Sequence, residues 1–267
     1  MMSTSDVVDL KLALTTARAA ARAADAIAMS HFRQAGLAVE RKADASPVTV
    51  ADRECEQAIR RILLEHFPDH AIYGEEYGHA GEGRCLWLVD PIDGTRSFIR
   101  GLPFWSVQIA LMVDEELVLG VSSAPAFGET AWAVRGQGAW IDERPCQVAA
   151  VEHIEQADIS FGNLRSLAGG PGWAVAGSLV ARAARSRGYG DFYSYHRLAE
   201  GSQDVVIESD VNILDIAALT VICREAGALV TDLQGQPIGL ASGSILAAGP
   251  ALHGQLVSLF DENQDVR

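Results

Sequence analysis

Between Asp6 and His31 apolar residues recur at helical spacing, with alanine at many positions and neither glycine nor proline, which predicts one long helix. A second apolar stripe, Val50, Ile59, Ile62 and Leu63, predicts a helix over Thr49–His66, with Pro68 following its end. The stretch Leu37–Val48 between them is polar and turn-prone and reads as a connection. After Pro68 the period shortens. Ala71–Tyr73 and Leu86–Val89 are short apolar runs that each end in acidic residues. Ser106–Val113, Leu117–Ser123 and Thr130–Arg135 follow, separated by acidic, proline- and glycine-containing turns, and predict an antiparallel meander.

The second half alternates differently. Strands are expected at Ile159–Phe161, Asp204–Glu208, Leu229–Asp232 and Ile245–Ala248. Helices are expected at Ala174–Arg187, Phe192–Ala199 and Asn212–Ala226, the last closed by Gly227, with Leu167–Trp173 as a loop and Leu252–Phe260 finishing the chain. Two units result: an α+β part over 1–148, with two long helices against an antiparallel sheet, and an α/β part over 149–267.

Composition narrows the field. The chain has 267 residues and is 49% hydrophobic, enough to bury a full core without disulfides. Its four cysteines, Cys55, Cys85, Cys146 and Cys223, are scattered and read as free thiols. Lys plus Arg number 21 against 35 Asp plus Glu, a formal charge of −14, which argues against nucleic-acid backbones and anionic membranes as partners. An acidic protein still holds an anionic substrate if metal ions invert the sign of the site. No secretory signal or membrane-length apolar run is visible, so a cytoplasmic protein is expected. The seven histidines show no ligand spacing, and core or surface roles are expected for them.

The chemistry concentrates in Trp87-Leu-Val-Asp90-Pro-Ile-Asp93-Gly94-Thr95. An apolar strand delivers Asp90 at its end, Pro91 starts the turn, and Asp93 follows three residues on. The two carboxylates can converge with the carbonyl of Ile92 between them, a hard-oxygen set that suits Mg²⁺. Gly94 and Thr95 can open a helical turn whose N–H groups would accept a phosphate. Asp-Pro and Asp-Gly are also ordinary turn formers. Glu75, in Tyr73-Gly-Glu75-Glu76, is either a third carboxylate for the same ion or a solvated loop acid. Asp215, in Asn212-Ile-Leu-Asp215-Ile-Ala-Ala218, either complements its helix dipole or closes the cage from the other half.

D-P-I-D-G-T, preceded by G-E-E and followed much later by D-x-A-A, resembles the inositol monophosphatase family of Mg²⁺-dependent, lithium-sensitive phosphatases. The likeness runs over nearly the whole chain. It implies a layered αβαβα sandwich, and a homodimer. One departure is Leu214, where the family usually carries Trp before the late Asp. By position, the resemblance implies Glu75, Asp90 and the Ile92 carbonyl at a first metal. Asp90, Asp93 and Asp215 would hold a second, with a looser third ion near Glu75; the ions would be Mg²⁺, with Mn²⁺ as a substitute. Thr95 and Asp52 match a hydroxyl–carboxylate pair that helps activate the attacking water. Lys42, one of two lysines, matches a basic residue near the phosphate. Asp52 also suits a first-turn helix acid and Lys42 a surface charge; both alternatives stay open.

The segment Arg187-Gly-Tyr-Gly190-Asp191-Phe-Tyr-Ser-Tyr195 resembles R-x-W-G-D-C-Y-G-Y of the histidinol-phosphatase branch, with Phe192 and Ser194 in place of Cys and Gly. That likeness implies Asp191 facing a cationic substrate, Arg187 assisting with phosphate and Glu208 contacting substrate, with L-histidinol phosphate as the expected ester. Asp191 would also cap the helix beginning at Phe192. An inositol, sugar or nucleotide phosphate ester is the rival expectation, and a non-catalytic metal- and phosphate-binding protein a more distant one.

Overall fold

The computed structural model describes residues 8–34, 38–41, 47–170 and 172–262. The first helix, α1 (Leu10–His31), starts where Asp9 accepts hydrogen bonds from the Lys11 and Leu12 amides. Its buried face is almost all alanine, at positions 13, 17, 20, 21, 24 and 28. That lets α2 (Val50–His66) lie close, near enough for the Cys55 thiol to reach the Ala24 carbonyl at 3.4 Å. Between the helices β1 (Val39–Arg41) and β2 (Pro47–Thr49) pair antiparallel, where the sequence predicts a plain connection. Two three-residue strands are too short to show a period. Lys42 lies outside the described residues.

The chain then builds β3 (Ala71–Gly74), β4 (Gly78–Ala80), β5 (Cys85–Asp93), the short α3 (Thr95–Ile99), β6 (Ser106–Val113), β7 (Glu116–Ala124), β8 (Glu129–Val134), β9 (Ala139–Ile141) and β10 (Arg144–Cys146). These strands form one eight-stranded sheet in the order β10-β9-β8-β7-β6-β5-β3-β4. The meander expected over β6, β7 and β8 is antiparallel and extends to β5 on one side and to β9 and β10 on the other, while β3 joins β5 in parallel. β4, β9 and β10 are too short to stand out in the sequence.

The rest comprises β11 (Asp158–Gly162), α4 (Leu164–Ala168), α5 (Gly172–Arg182), β12 (Arg185–Arg187), α6 (Asp191–Ala199), β13 (Val205–Ser209), α7 (Ile213–Glu225), β14 (Leu229–Thr231), β15 (Ser244–Ala248) and α8 (Pro250–Glu262). Five of these strands make a mixed sheet in the order β12-β11-β13-β15-β14. Two expectations are corrected. The helix predicted to reach Arg187 stops at Arg182, and Arg185–Arg187 instead lies along β11 as a charged edge strand. The expected loop at 167–173 overlaps the end of α4 and the start of α5.

Alternation along the strands assigns each side chain to a layer. Trp87, Val89, Val107 and Ile109 face α1 and α2, whereas Leu88, Ala110 and Met112 face α6 and α7. Those two helices also bury Val206, Ile245 and Ala247 of the small sheet. The opposite face of that sheet, with Ile159, Val205, Ile207 and Leu246, packs on α5 and α8. The result is a layered αβαβα sandwich. α7 is buried on nearly every side, as a central helix that is apolar nearly all round must be. It lies so close to β7 that a Cβ at Gly120 would stand 2.3 Å from the Ala218 carbonyl oxygen. No helix among the described residues is long and apolar enough to cross a membrane.

Candidate active site

β5 carries Asp90 and Asp93 at its end, and a break in its register with β6 separates them. The Ile92 amide donates to Asp90 Oδ1 at 3.0 Å, which curls the turn. Gly94 then takes φ 86°, in the left-handed region, against the backbone of Phe104 and Trp105; a Cβ there would lie 2.6 Å from the Phe104 carbonyl oxygen. Both requirements explain the glycine. α3 opens at Thr95, whose hydroxyl reaches Asp52 Oδ1 at 3.3 Å and the Ile92 carbonyl at 3.1 Å.

Asp52 and Asp215 are placed by the same local device. Each stands at the third position of a helix in a capping box, Asp52 with Thr49 and Asp215 with Asn212. Asp215 accepts from the Asn212 amide and from its side-chain nitrogen, both at 2.8 Å. The first-turn helix position foreseen for both acids is therefore real, it takes the form of a capping box, and tertiary packing adds a second use. Carboxylate oxygens of Asp90, Asp93 and Asp215 all lie within 4.8 Å of one another.

Electrostatics shows what that convergence costs the bare protein. Asp90 and Asp93 are pushed well above the usual carboxylate range, first by burial and then by other carboxylates. The charges acting on Asp90 are those of Glu75, Asp93 and Asp215; on Asp93 they are Asp191, Asp215, Glu208 and Glu75. Burial lifts Asp215 to about 6, with Glu75 and Asp191 adding to it and Asn212 opposing. Glu75 itself is half-buried and shares a hydrogen bond with Asp90. A buried crowd of acids that also raise one another is matched by a divalent cation, and hard carboxylate oxygens fit Mg²⁺.

A small cavity of about 70 Å³ opens beside the cluster, and Asp93, Asn163, Gly190, Asp191, Glu208 and Asp215 are among its lining residues. Glu208 is buried and accepts the Tyr195 hydroxyl at 2.9 Å. Burial lifts its carboxyl to about 8, the Tyr195 bond opposes this, and the charges of Asp191 and Asp215 add to it. Asp191 is lifted to about 6 by burial. It does not cap α6: Gly190 holds the cap position, no side chain caps it, and Asp191 stands at φ 49° as the first helical residue.

Of the residues singled out from the sequence, Glu75, Asp90, Asp93, Asp215, Asp191 and Glu208 therefore act on one another. Asp52 and Thr95 pair beside them. Arg187 does not join them: it is exposed on an edge strand, and its guanidinium donates to the neighbouring Ser186 carbonyl at 2.8 Å. Sequence reasoning missed Asn163 and the buried Glu56, which accepts the amides of Glu76 and Tyr77 and so holds the loop of Glu75. Asn163 had a signal, a polar residue just past a strand end; Glu56 looks like any helical glutamate.

The model of the inositol monophosphatase family matches residues 9–265. A histidinol-phosphatase of Streptomyces coelicolor is 37% identical, over 93% of this chain and 97% of that protein. A histidinol-phosphatase of Mycobacterium tuberculosis is 39% identical, over 94% and 96%. Among solved structures, an inositol monophosphatase from Zymomonas mobilis superposes with a TM-score of 0.85 at 30% identity, covering 96% of this chain and all of that one. The chain belongs to the inositol monophosphatase family, and it is a phosphoric monoester hydrolase.

Proposed function

We propose that the protein is a Mg²⁺-dependent phosphomonoesterase acting on L-histidinol phosphate. The supporting observation is the sign of the cavity: Asp93, Asp191, Glu208 and Asp215 line it, and among the described residues no basic side chain does. A phosphate ester enters such a site only with cations, and the alcohol it carries is favoured if cationic. The two relatives above bear the name of that reaction.

In this reading Glu75, Asp90 and the Ile92 carbonyl hold one ion. Asp90, Asp93 and Asp215 hold a second, with a looser third near Glu75. When bound, such ions neutralise the phosphate and acidify the attacking water. The chain's own residues do the rest. Thr95 orients that water, and Asp52, lifted by burial and by the nearby Glu75, takes up the proton through the Thr95 hydroxyl. The N–H groups of Gly94 and Thr95 hold phosphate oxygens at the start of α3. Lys42 is assigned to the phosphate by family likeness. Asp191 and Glu208 read the amino alcohol, and Arg187, exposed at its sheet edge, is assigned to the phosphate by family likeness alone. Residues 1–148 thus supply most ligands, and 149–267 supply the last ligand and the specificity. The same reading makes the protein a cytoplasmic homodimer, which sedimentation equilibrium tests.

Phosphate release from histidinol phosphate and from inositol 1-phosphate, with and without Mg²⁺, is the decisive comparison. Equal or better turnover of the inositol ester overturns the histidinol assignment. Hydrolysis that persists without a divalent cation overturns the mechanism.

A further inference from the structure

A run of buried polar side chains leads away from Asp93 through the middle of the sandwich. Ser106 stands opposite Asp93 in the register of β5 and β6, and its hydroxyl lies 3.4 Å from Asp93 Oδ2. Gln108 pairs in register with Asp90 on one side and with Ser122 on the other. Its Nε2 donates to the Ser106 hydroxyl at 2.8 Å and to the Ser122 hydroxyl at 3.1 Å. Ser122 lies 2.8 Å from His196 Nε2, and His196 Nδ1 lies 2.7 Å from Glu129 Oε1. Arg197 closes the run with two contacts of 2.6 Å to the same carboxylate. Ser106, Ser122 and His196 are fully buried and Gln108 is 1% exposed. The serine–histidine–glutamate trio has the order of a hydrolytic triad, but no substrate reaches a hydroxyl sealed in this way.

The direction of every proton in the run follows from its far end. Arg197 and His196 hold Glu129 ionised, with its pKa lowered to about 2 although burial opposes this. Burial keeps His196 neutral by lowering its pKa. Its single proton therefore sits on Nδ1, toward Glu129, and Nε2 must accept. Ser122 gives its proton to Nε2, so it can only accept from Gln108. That fixes the amide with Nε2 toward both serines, and its buried Oε1 has no partner among the described residues. Ser106, already accepting from Gln108, has its own proton free for Asp93.

We propose that Gln108, through Ser106, is a positioning residue that fixes the orientation of the Asp93 carboxylate for a divalent cation, with the direction set by the distant Glu129–His196 pair. The proposal rests on the reading of Asp93 as a cation ligand. Partners one step behind a ligand commonly change metal affinity by about 10–100-fold.

The test is calorimetric titration of Mn²⁺ into the wild-type protein and into Ser106→Ala, Gln108→Leu and Gln108→Glu, with thermal melts and steady-state kinetics beside it. The Kd for Mn²⁺ is expected to rise about 10-fold in all three. The Gln108→Glu side chain only accepts when ionised, so Ser106 turns its proton from Asp93 toward it. KM for the phosphate ester at saturating Mn²⁺ is expected to stay at the wild-type value, and Ser106→Thr, which keeps the hydroxyl, to restore affinity. A purely structural role would lower the melting temperature and leave Kd alone. Unchanged Kd in folded Ser106→Ala and Gln108→Leu overturns the proposal. Failure of the wild-type protein to bind Mn²⁺ overturns the cation reading, and this one with it.

Discussion

Asp52 divides its two carboxylate oxygens between Thr49 and Thr95. Oδ2 accepts the Thr49 amide at 2.8 Å and its hydroxyl at 2.6 Å, while Oδ1 faces the Thr95 hydroxyl at 3.3 Å. One oxygen starts α2 and the other is turned to the site, so a substitution at Asp52 confounds stability with chemistry. Thr95 separates them. Thr95→Val is expected to lower kcat by about 100-fold, the lower end for a lost proton-transfer group, with KM nearly unchanged. Thr95→Ser should keep most of the activity, and steady-state kinetics on the pair decides.

Of the three converging carboxylates Asp90, Asp93 and Asp215, the last comes from the second half of the chain. Asp215→Asn keeps the shape and much of the capping geometry while removing a charge. Phosphate release is expected to fall at least about 100-fold, with a raised requirement for Mg²⁺. The apoprotein melt is expected to hold or rise, because a carboxyl lifted to about 6 by burial repels its neighbours when ionised. Activity close to wild type at low Mg²⁺ would show that the cage does not need it.

Removing divalent cations should make stability fall as pH rises. Glu208 has a folded pKa of about 8 against an ordinary 4.5, so between those values the folded state binds more protons than the unfolded one. Stability is then greatest at the acidic end of that window and declines toward pH 8. Melting curves in chelator at pH 5, 6, 7 and 8 are expected to show the decline, and Glu208→Gln to flatten it. Added Mg²⁺ should raise the melting temperature most at pH 8, where the acids are most ionised.

Glu129 has the opposite sign. Its pKa is lowered to about 2, so its contribution is complete above the ordinary range near 4.5 and is lost as pH falls toward 2. Glu129→Gln takes the charged partner from His196 and leaves Arg197 with Glu200 alone, and is expected to destabilise the protein by about 2–4 kcal/mol at pH 7. The difference from wild type should shrink below pH 4. A chemical-denaturation series across pH 3–7 measures it.

The contact of α7 with β7 leaves no room at Gly120. Gly120→Ala sets a methyl group against backbone, at 2.3 Å from the Ala218 carbonyl oxygen, where no side chain can rotate away. A loss of about 1–3 kcal/mol is expected from overpacking, together with weaker Mg²⁺ binding because α7 carries Asp215. Urea unfolding and cation titration on the same variant test both halves of the statement.

The sequence by itself determined what short-range chemistry determines. Apolar spacing located the long helices and the longer strands, and the Asp90–Thr95 motif marked the end of β5 as a site, since turn, ligand and glycine all lie within six residues. Of the three-residue strands, only β14 was legible; β1, β2, β4, β9, β10 and β12 left no readable period and exist because a neighbouring strand offers them hydrogen bonds. Only the tertiary structure decided that Asp215 meets Asp90 and Asp93, that Arg187 stays outside while Asp191 goes in, and that Gln108, an ordinary polar residue in an apolar strand, joins Asp93 to His196. A capping acid looks the same in sequence whether or not anything faces its free oxygen. What faces it depends on how two sheets close on α6 and α7, and that packing is the sum of many contacts between residues far apart along the chain.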